Sequence, residues 1–486
     1  MKKLLCFCIG LVFTFSYAQD GSPDASFGTN GVIIYDFGGA DYAVMEIDES
    51  LSGRIMVLIK IIDINSEFED NLFAFNQDGS LDTNFGTNGV LNIDNPTFDY
   101  YGLKILPDGS YFLKSLSNSQ FTVSKFGEDG TLDTSFGNNG ILQPFTNGGE
   151  GSSLIVDADQ TLYFIGKQNI AGETHLIMNK FLENGLPDNT FGNNGSTLFS
   201  LGTVTNVITT NFFRSGDNFY LGVNVQENNN PSKNIFRFLL NGDIDNSFGT
   251  NGRVVIPIEE EFYVGFSVFN NGEILIGGSY WDWITETNVS KIIKINAQGQ
   301  ILQNFGNGGV INGRTIQYIQ GNQRFIADGT YIDFEGGATL SYSRYFANGT
   351  QDSSFQFSSN YNSELGGFAL KQLQNGKILI VGSDIWYNGP EINIILQLFN
   401  NNPLSVSEFD KNSIAVYPNP SNAIFKIHFD MPITNIPFEI FDGLGRKVKL
   451  GNFNENITSI DLSSLERGVY FLKLADISQT VKLIKK

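Results

Sequence analysis

The sequence predicts an all-β chain, a seven-bladed β-propeller followed by a small C-terminal β-sandwich. Three observations lead there. One polar loop recurs seven times, alternating apolar runs broken by Asp-Gly or Asn-Gly fill the intervals between copies, and the vocabulary changes after residue 409. Period-two alternation around such a turn marks a β-hairpin. Hairpins repeated at a long, roughly regular interval mark an architecture of units that cannot bury their faces alone.

The chain begins MKKLLCFCIGLVFTFSYA (1–18), with Lys2 and Lys3 before an apolar run and Ser16 and Ala18 as the small residues of a cleavage site. The run is shorter than the roughly 20 apolar residues of a membrane span, so it reads as a secretory signal peptide. Cys6 and Cys8 both lie inside it. The mature chain is therefore expected to lack disulfides and thiolate metal sites.

The propeller is expected over residues 19–401. Its loop copies include QDGSLDTNFGTNG (77–89), EDGTLDTSFGNNG (128–140) and LNGDIDNSFGTNG (240–252). Seven phenylalanines anchor the alignment, Phe27, Phe85, Phe136, Phe191, Phe248, Phe305 and Phe355, with spacings of 50 to 58 residues. Glycine stands six before each, at Gly21, Gly79, Gly130, Gly185, Gly242, Gly299 and Gly349. Three before each stands Asp24, Asp82, Asp133, Asp188, Asp245 or Asp352, with Leu302 the exception. The intervals hold hairpins such as LKILPDGSYFLKS (103–115) and LKQLQNGKILIVGS (370–383), a third strand before each anchor, and a fourth after it, such as GVIIYDF (31–37). The loop is expected to join the outer strand of one blade to the inner strand of the next. Its aspartate caps a single helical turn, the glycine after Phe ends that turn in a left-handed conformation, and the Phe plugs the gap between blades.

The pattern DGsLDxsFGxxG resembles the uncharacterised delta-60 β-propeller repeat over residues 20 to about 400. That resemblance implies no activity. Unit six departs from it at Leu302, and unit seven at Gln356 and Ser359.

A polar linker is expected at 402–412 and a separate domain at 413–486. AVYPNPSNAIFKIHF (415–429), FEIFDGLGRKVKL (438–450), IDLSSLERGVYFLKLAD (460–476) and QTVKLIKK (479–486) alternate as the strands of a small sandwich. The ordered landmarks YPNPSN, FDGLGRKV, LERGVYFLKL and a last strand ending in Lys485 and Lys486 resemble a type A C-terminal sorting domain of the type IX secretion system. The resemblance implies that these residues engage that machinery and carry the chain across the outer membrane, after which the passenger is released or fixed to the surface. Either location is expected.

Residues 19–409 carry 18 Lys plus Arg against 43 Asp plus Glu, and residues 410–486 carry 10 against 8. So acidic a body repels phosphate backbones, which argues against nucleic acid as a partner. No later segment is apolar enough to span a membrane. His175 is the propeller's one histidine, too few for a histidine metal site or a recognisable nucleophile constellation. The loop aspartates offer calcium one carboxylate each against the 6–8 oxygens it takes, so they read as turn residues, with calcium the lesser alternative and no other cofactor expected. The run EEEF (259–262) could hold a carboxylate pair for glycoside hydrolysis.

A residue present in every blade serves what all blades share, so a binding site belongs where one blade departs from its siblings. The tips of units five and seven carry YWDWITE (280–286) and IWYNGPE (385–391), while unit six has EGGA (335–338). Tyr280, Trp281, Trp283, Trp386 and Tyr387 are thus the candidate ligand-binding residues, overhanging a notch. Exposed aromatics beside carboxylates suit stacking on a glycan or anchoring a protein. Packing against neighbouring loops is the other fate of such tryptophans. The functional expectation is an exported binding or adhesion module, with an extracellular polysaccharide-degrading enzyme as the alternative.

Overall fold

The computed structural model describes residues 20–401 and 414–486 apart from 36–40, 63–67, 94, 96, 119, 146–149, 158, 205, 228–229, 257–262, 270, 283–286, 314, 321–323, 329–330, 333–337, 340, 360–364, 385–392, 430–435, 443–445, 454–456 and 475–478. The expected signal peptide and linker lie outside the described residues. The chain divides into two compact units, 1–401 and 402–486. All regular elements among the described residues are strands.

Unit one is a succession of small antiparallel sheets. Sheet 1 takes Asp41–Glu49, Ile55–Ile62, Phe68–Phe75 and Val90–Asn92 in chain order. Sheets 2 to 5 repeat that order over 99–142, 150–200, 206–255 and 263–312. Sheet 6 has three strands among the described residues, Thr315–Gln320, Arg324–Asp328 and Tyr342–Phe346, and a two-stranded ribbon, Tyr331–Ile332 with Ala338–Thr339, forms a separate small sheet. Sheet 7 takes Leu365–Gln372, Ile378–Asp384 and Ile394–Phe399, and its fourth strand is Val32–Tyr35 from the opposite end of the unit, with Ile33 opposite Leu396.

Local chemistry sets these elements. In the first hairpin of sheet 2, Asp108 Oδ1 accepts the Ser110 amide at 3.1 Å and Gly109 takes φ +86°, which brings Ile105 opposite Tyr111. The second strand of sheet 1, IMVLIKII, is apolar without alternation because sheets cover both of its faces, and Ile55 to Ile59 are buried throughout. In sheets 1, 2, 3, 4, 6 and 7 the first strand carries a register shift, such as that between Val44 and Glu46, which bends it and increases its twist.

The seven phenylalanines occupy the seams between sheets. Phe27 packs with Val57, Ile59 and Phe73 of sheet 1 and with Leu379, Val381 and Leu396 of sheet 7. Phe85 packs between Leu58 and Leu72 of sheet 1 and Leu103 and Leu113 of sheet 2. Phe136, Phe191, Phe248, Phe305 and Phe355 hold the seams 2–3, 3–4, 4–5, 5–6 and 6–7 in turn. Each buried ring contributes about 1.5–3 kcal/mol to its seam.

Two local expectations are corrected. The loop joins the third and fourth strands of one sheet, as 76–89 does between Phe68–Phe75 and Val90–Asn92, and does not run to the next inner strand. Backbone bonds explain this: Asp82 N donates to Ala74 O and Ala74 N to Gly89 O, each 2.9 Å, so both ends of the loop are tied to the same strand. The Asp-x-x-Phe-Gly segment is a tight turn and no helix, with Phe85 N donating to Asp82 O at 2.9 Å and Gly86 at φ +53°.

Unit two has a three-stranded sheet, Ile414–Tyr417, Ile424–Phe429 and Ile457–Asp461, and a four-stranded one ordered Lys447–Phe453, Ile436–Asp442, Gly468–Leu474, Gln479–Lys485. Phe425, Ile427 and Ile460 from the first share one core with Ile440, Leu472 and Leu483 from the second.

Candidate functional site

Each repeated aspartate does two things. One oxygen accepts the amide two residues on, at Ser26, Asn84, Ser135, Thr190, Ser247 and Ser354, over 3.0–3.1 Å. The other meets a cation. Lys125 lies 3.7 Å from Asp133, Lys180 2.8 Å from Asp188, Arg237 2.8 Å from Asp245 and Arg344 2.9 Å from Asp352. In all four the cation stands eight residues earlier, on the third strand.

Where that position holds Ala74 or Leu398, the residue just before the second strand supplies the charge: Arg54 pairs with Asp82 at 2.8 Å and Lys377 with Asp24. Around Leu302 the logic inverts, since Lys294 has no aspartate and pairs instead with Glu273, which occupies the position of Arg54 and Lys377. Sheet 6 supplies two cations, Arg324 and Arg344, and Asp352 is joined by Asp20 at 2.8 Å from Arg344. Each repeated aspartate therefore faces at least one cation. The guanidinium carbons also lie over the plugging rings, 4.7 Å for Arg237 on Phe248 and 5.0 Å for Arg344 on Phe355. The Lys180 ammonium, helped by Thr190, holds the Asp188 carboxyl down at about 2. Among the described residues no cluster of His, Cys, Asp or Glu is placed to hold a metal ion.

Adjacent loops are hooked together by backbone bonds. The amide after the anchoring Phe donates to the next loop: Gly28 to Asp78 O, Gly137 to Asn184 O, Gly306 to Asn348 O and, from the last loop to the first, Gln356 to Asp20 O, at 2.9–3.1 Å. The glycine six before each Phe owes its identity to this contact. At Gly242 (φ +82°) a β-carbon would lie 2.4 Å from Phe191 Cζ of the preceding loop.

The first strands of sheets 7, 1 and 2 carry a second charge cluster. Asp48, 3% exposed, takes Lys371 Nζ at 2.7 Å and Lys104 Nζ at 2.8 Å, and also accepts the Glu49 and Ile105 amides. Burial opposes its ionisation, but the ammoniums of Lys371 and Lys104 outweigh that and hold its carboxyl below the usual range. Two residues away, Glu46 is pushed up by burial, with Lys114 at 3.5 Å. Two carboxylates driven apart in acidity are what acid–base chemistry uses. Here all the acceptor positions of Asp48 are engaged by the protein itself.

Of the aromatic candidates, Tyr280 and Trp281 fall in the strand Ile274–Asp282, opposite Val289 and Asn288. Trp283, Trp386, Tyr387 and the run 259–262 lie outside the described residues. His175 sits in Glu173–Phe181, its Nδ1 3.2 Å from Glu173 O. A cleft of about 1070 Å³ opens beside Val32–Tyr35, lined by Thr29, Ile34 and Tyr35 and, from the next loop, Asp78 and Ser80. A second, of about 640 Å³, lies at the corresponding seam between Asn138 and Pro187. The recurrence of the seams gave these clefts a sequence signal, since each falls where one copy of the loop meets the next.

The tail defines the class. The Secretion system C-terminal sorting domain family matches residues 415–486, so the chain carries a sorting tail of the type IX pathway and is directed to the cell surface or the medium. No curated protein matches the chain. Among solved structures it is similar to PorZ, a surface component of the type IX secretion system of Porphyromonas gingivalis, at 13% identity over 97% of this chain and 61% of that one, with a TM-score of 0.33. It is also similar to the β-propeller domain of the Trilobed protease from Pyrococcus furiosus (10% identity, 76% and 99% coverage, TM-score 0.41) and to prolyl oligopeptidase B from Galerina marginata (11%, 81% and 57%, 0.44). No helix among the described residues is long and apolar enough to cross a membrane.

Proposed function

We propose that the chain is an exported binding or adhesion module: a seven-bladed propeller of delta-60-like repeats, freed of a signal peptide at residue 18 and carried out by a C-terminal β-sandwich that engages the type IX machinery. The sorting-domain match at 415–486 is the observation that carries this reading. The propeller is supported by seven successive sheets, seven phenylalanine seams that run from sheet 1 round to sheet 7 and back, and the strand Val32–Tyr35 that the chain's beginning adds to sheet 7. The ligand is a glycan or a protein, held by Tyr280, Trp281, Trp283, Trp386 and Tyr387 at the tips of units five and seven. Because the structural aspartates are saturated by cations and turn amides, recognition falls to the residues in which units five and seven depart from the repeat.

The experiment is localisation of the full chain with and without residues 410–486, followed by a glycan array and surface-protein capture with the exported form. Export of the truncated chain would overturn the reading of the tail. Trp281→Ala with Trp386→Ala should abolish capture and leave the melting temperature unchanged, and undiminished capture would overturn the aromatic site.

A further inference from the structure

The last strand of unit two, Gln479–Lys485, stands at the end of its sheet, yet its outer side is occupied. Asn419 Nδ2 donates to Lys482 O at 2.7 Å, and Asn419 Oδ1 accepts the Ile484 amide at 2.9 Å. Ser421 N donates to Ile484 O at 3.0 Å, and Lys486 N to Ser421 O at 2.9 Å. The outward groups of residues 482, 484 and 486 are thus taken by one short loop from the other end of the domain. From the inner side, Lys485 is buried with its ammonium on Ser463 O and Leu465 O.

We propose that Asn419 is the positioning residue that fixes the register of the terminal strand for export. The proposal rests on the sorting function of the tail. Side chains alternate along a strand, so a slip of one residue exchanges every inward side chain for an outward one. In the native register Leu483 fills the core while Lys482 is exposed opposite Phe471, and Ile484 lies opposite Val469; Val469 and Phe471 are each 37% exposed. Those residues make an apolar surface edged with positive charge, available to the export machinery only in that register. The Asn419 amide clamps the backbone of Lys482 and Ile484 to the loop in the register that Leu483 in the core and the Lys485 ammonium on Ser463 O and Leu465 O select. The slipped strand would offer Leu483 and Lys485 in their place.

The test uses the full chain in cells that carry the type IX machinery. Asn419→Ala and the milder Asn419→Asp, which keeps the acceptor for Ile484, should each reduce the exported fraction, tenfold or more for the first and several-fold for the second. Amide exchange at Ile484 should rise at least tenfold, while that at Leu472 stays unchanged. A core variant of similar melting temperature, Ile460→Val, should be exported as the parent. If both Asn419 variants are exported normally, or if Ile460→Val is retained equally, the proposal is overturned. Deletion of 415–486 separates the two ideas: a deleted chain that is still exported sinks the sorting function itself, whereas retained deletion with exported Asn419→Ala sinks only the role of Asn419.

Discussion

Phe85 illustrates how one side chain can belong to two sheets at once. It is 1% exposed between sheets 1 and 2 beneath the Arg54 guanidinium. Truncation leaves a cavity that neither sheet can fill alone, so Phe85→Ala should cost about 3–5 kcal/mol in chemical denaturation. A loss under about 1 kcal/mol would mean that the seam repacks. Asp188 predicts a pH dependence. Its carboxyl ionises near 2 in the folded chain, held there by Lys180, against about 3.9 when unfolded. Its pairing therefore stabilises the fold fully above about pH 4 and is lost as the pH falls through 2. The gap in denaturation midpoint between the parent and Asp188→Asn should shrink between pH 5 and pH 2. A gap that stayed constant would show that the charge pair with Lys180 does not contribute, since Asn keeps the acceptor for the Thr190 amide.

At the scale of the loop and its sheet, charge follows the set of three positions and not any single one. Glu273→Ala strips Lys294 of its carboxylate and should destabilise the unit by about 1–3 kcal/mol. Adding Leu302→Asp restores the arrangement found at Lys180 and Asp188, and should recover most of that loss. Failure of the double variant to recover would break the equivalence of the positions. Much of this element was legible in the sequence: the Phe, Gly and Asp positions recur at fixed offsets, and the hairpins announce themselves through Asp-Gly and alternation. Two features were not. The strand order around the loop depends on Asp82 N and Gly89 O both bonding Ala74, a long-range choice between two nearby edges. The substitution of Arg54 and Lys377 for a missing third-strand cation links positions 28 residues apart, Arg54 and Asp82, or at opposite ends of the unit, Lys377 and Asp24, where no local pattern reports it. Of the candidate site, the sorting tail was legible in its ordered motifs, and its loop and last strand hold each other through Asn419 and Ser421. The aromatic tips have no repeat to align against.

In unit one as a whole, residues 20–35 are bonded to residues 344–401. Arg344, 1% exposed, bonds Asp352 of its own loop, Asp20 and Asn401 at 2.9, 2.8 and 2.6 Å. Arg344→Met takes the 2.8 Å cation from Asp20 and leaves Asp352 to Arg324 at 3.4 Å, and should cost about 3–5 kcal/mol while unfolding remains a single transition. A separate early transition for sheet 7 would show that the seam closes independently of the rest. Val32–Tyr35 adds a temporal consequence. The pairing partners of these residues, Ile394–Gln397, follow them by some 360 positions. Until Ile394–Gln397 are made, Val32–Tyr35 lacks these partners, and termination before residue 394 leaves it without them. The joint thus makes the pairing of this strand wait on synthesis through residue 397.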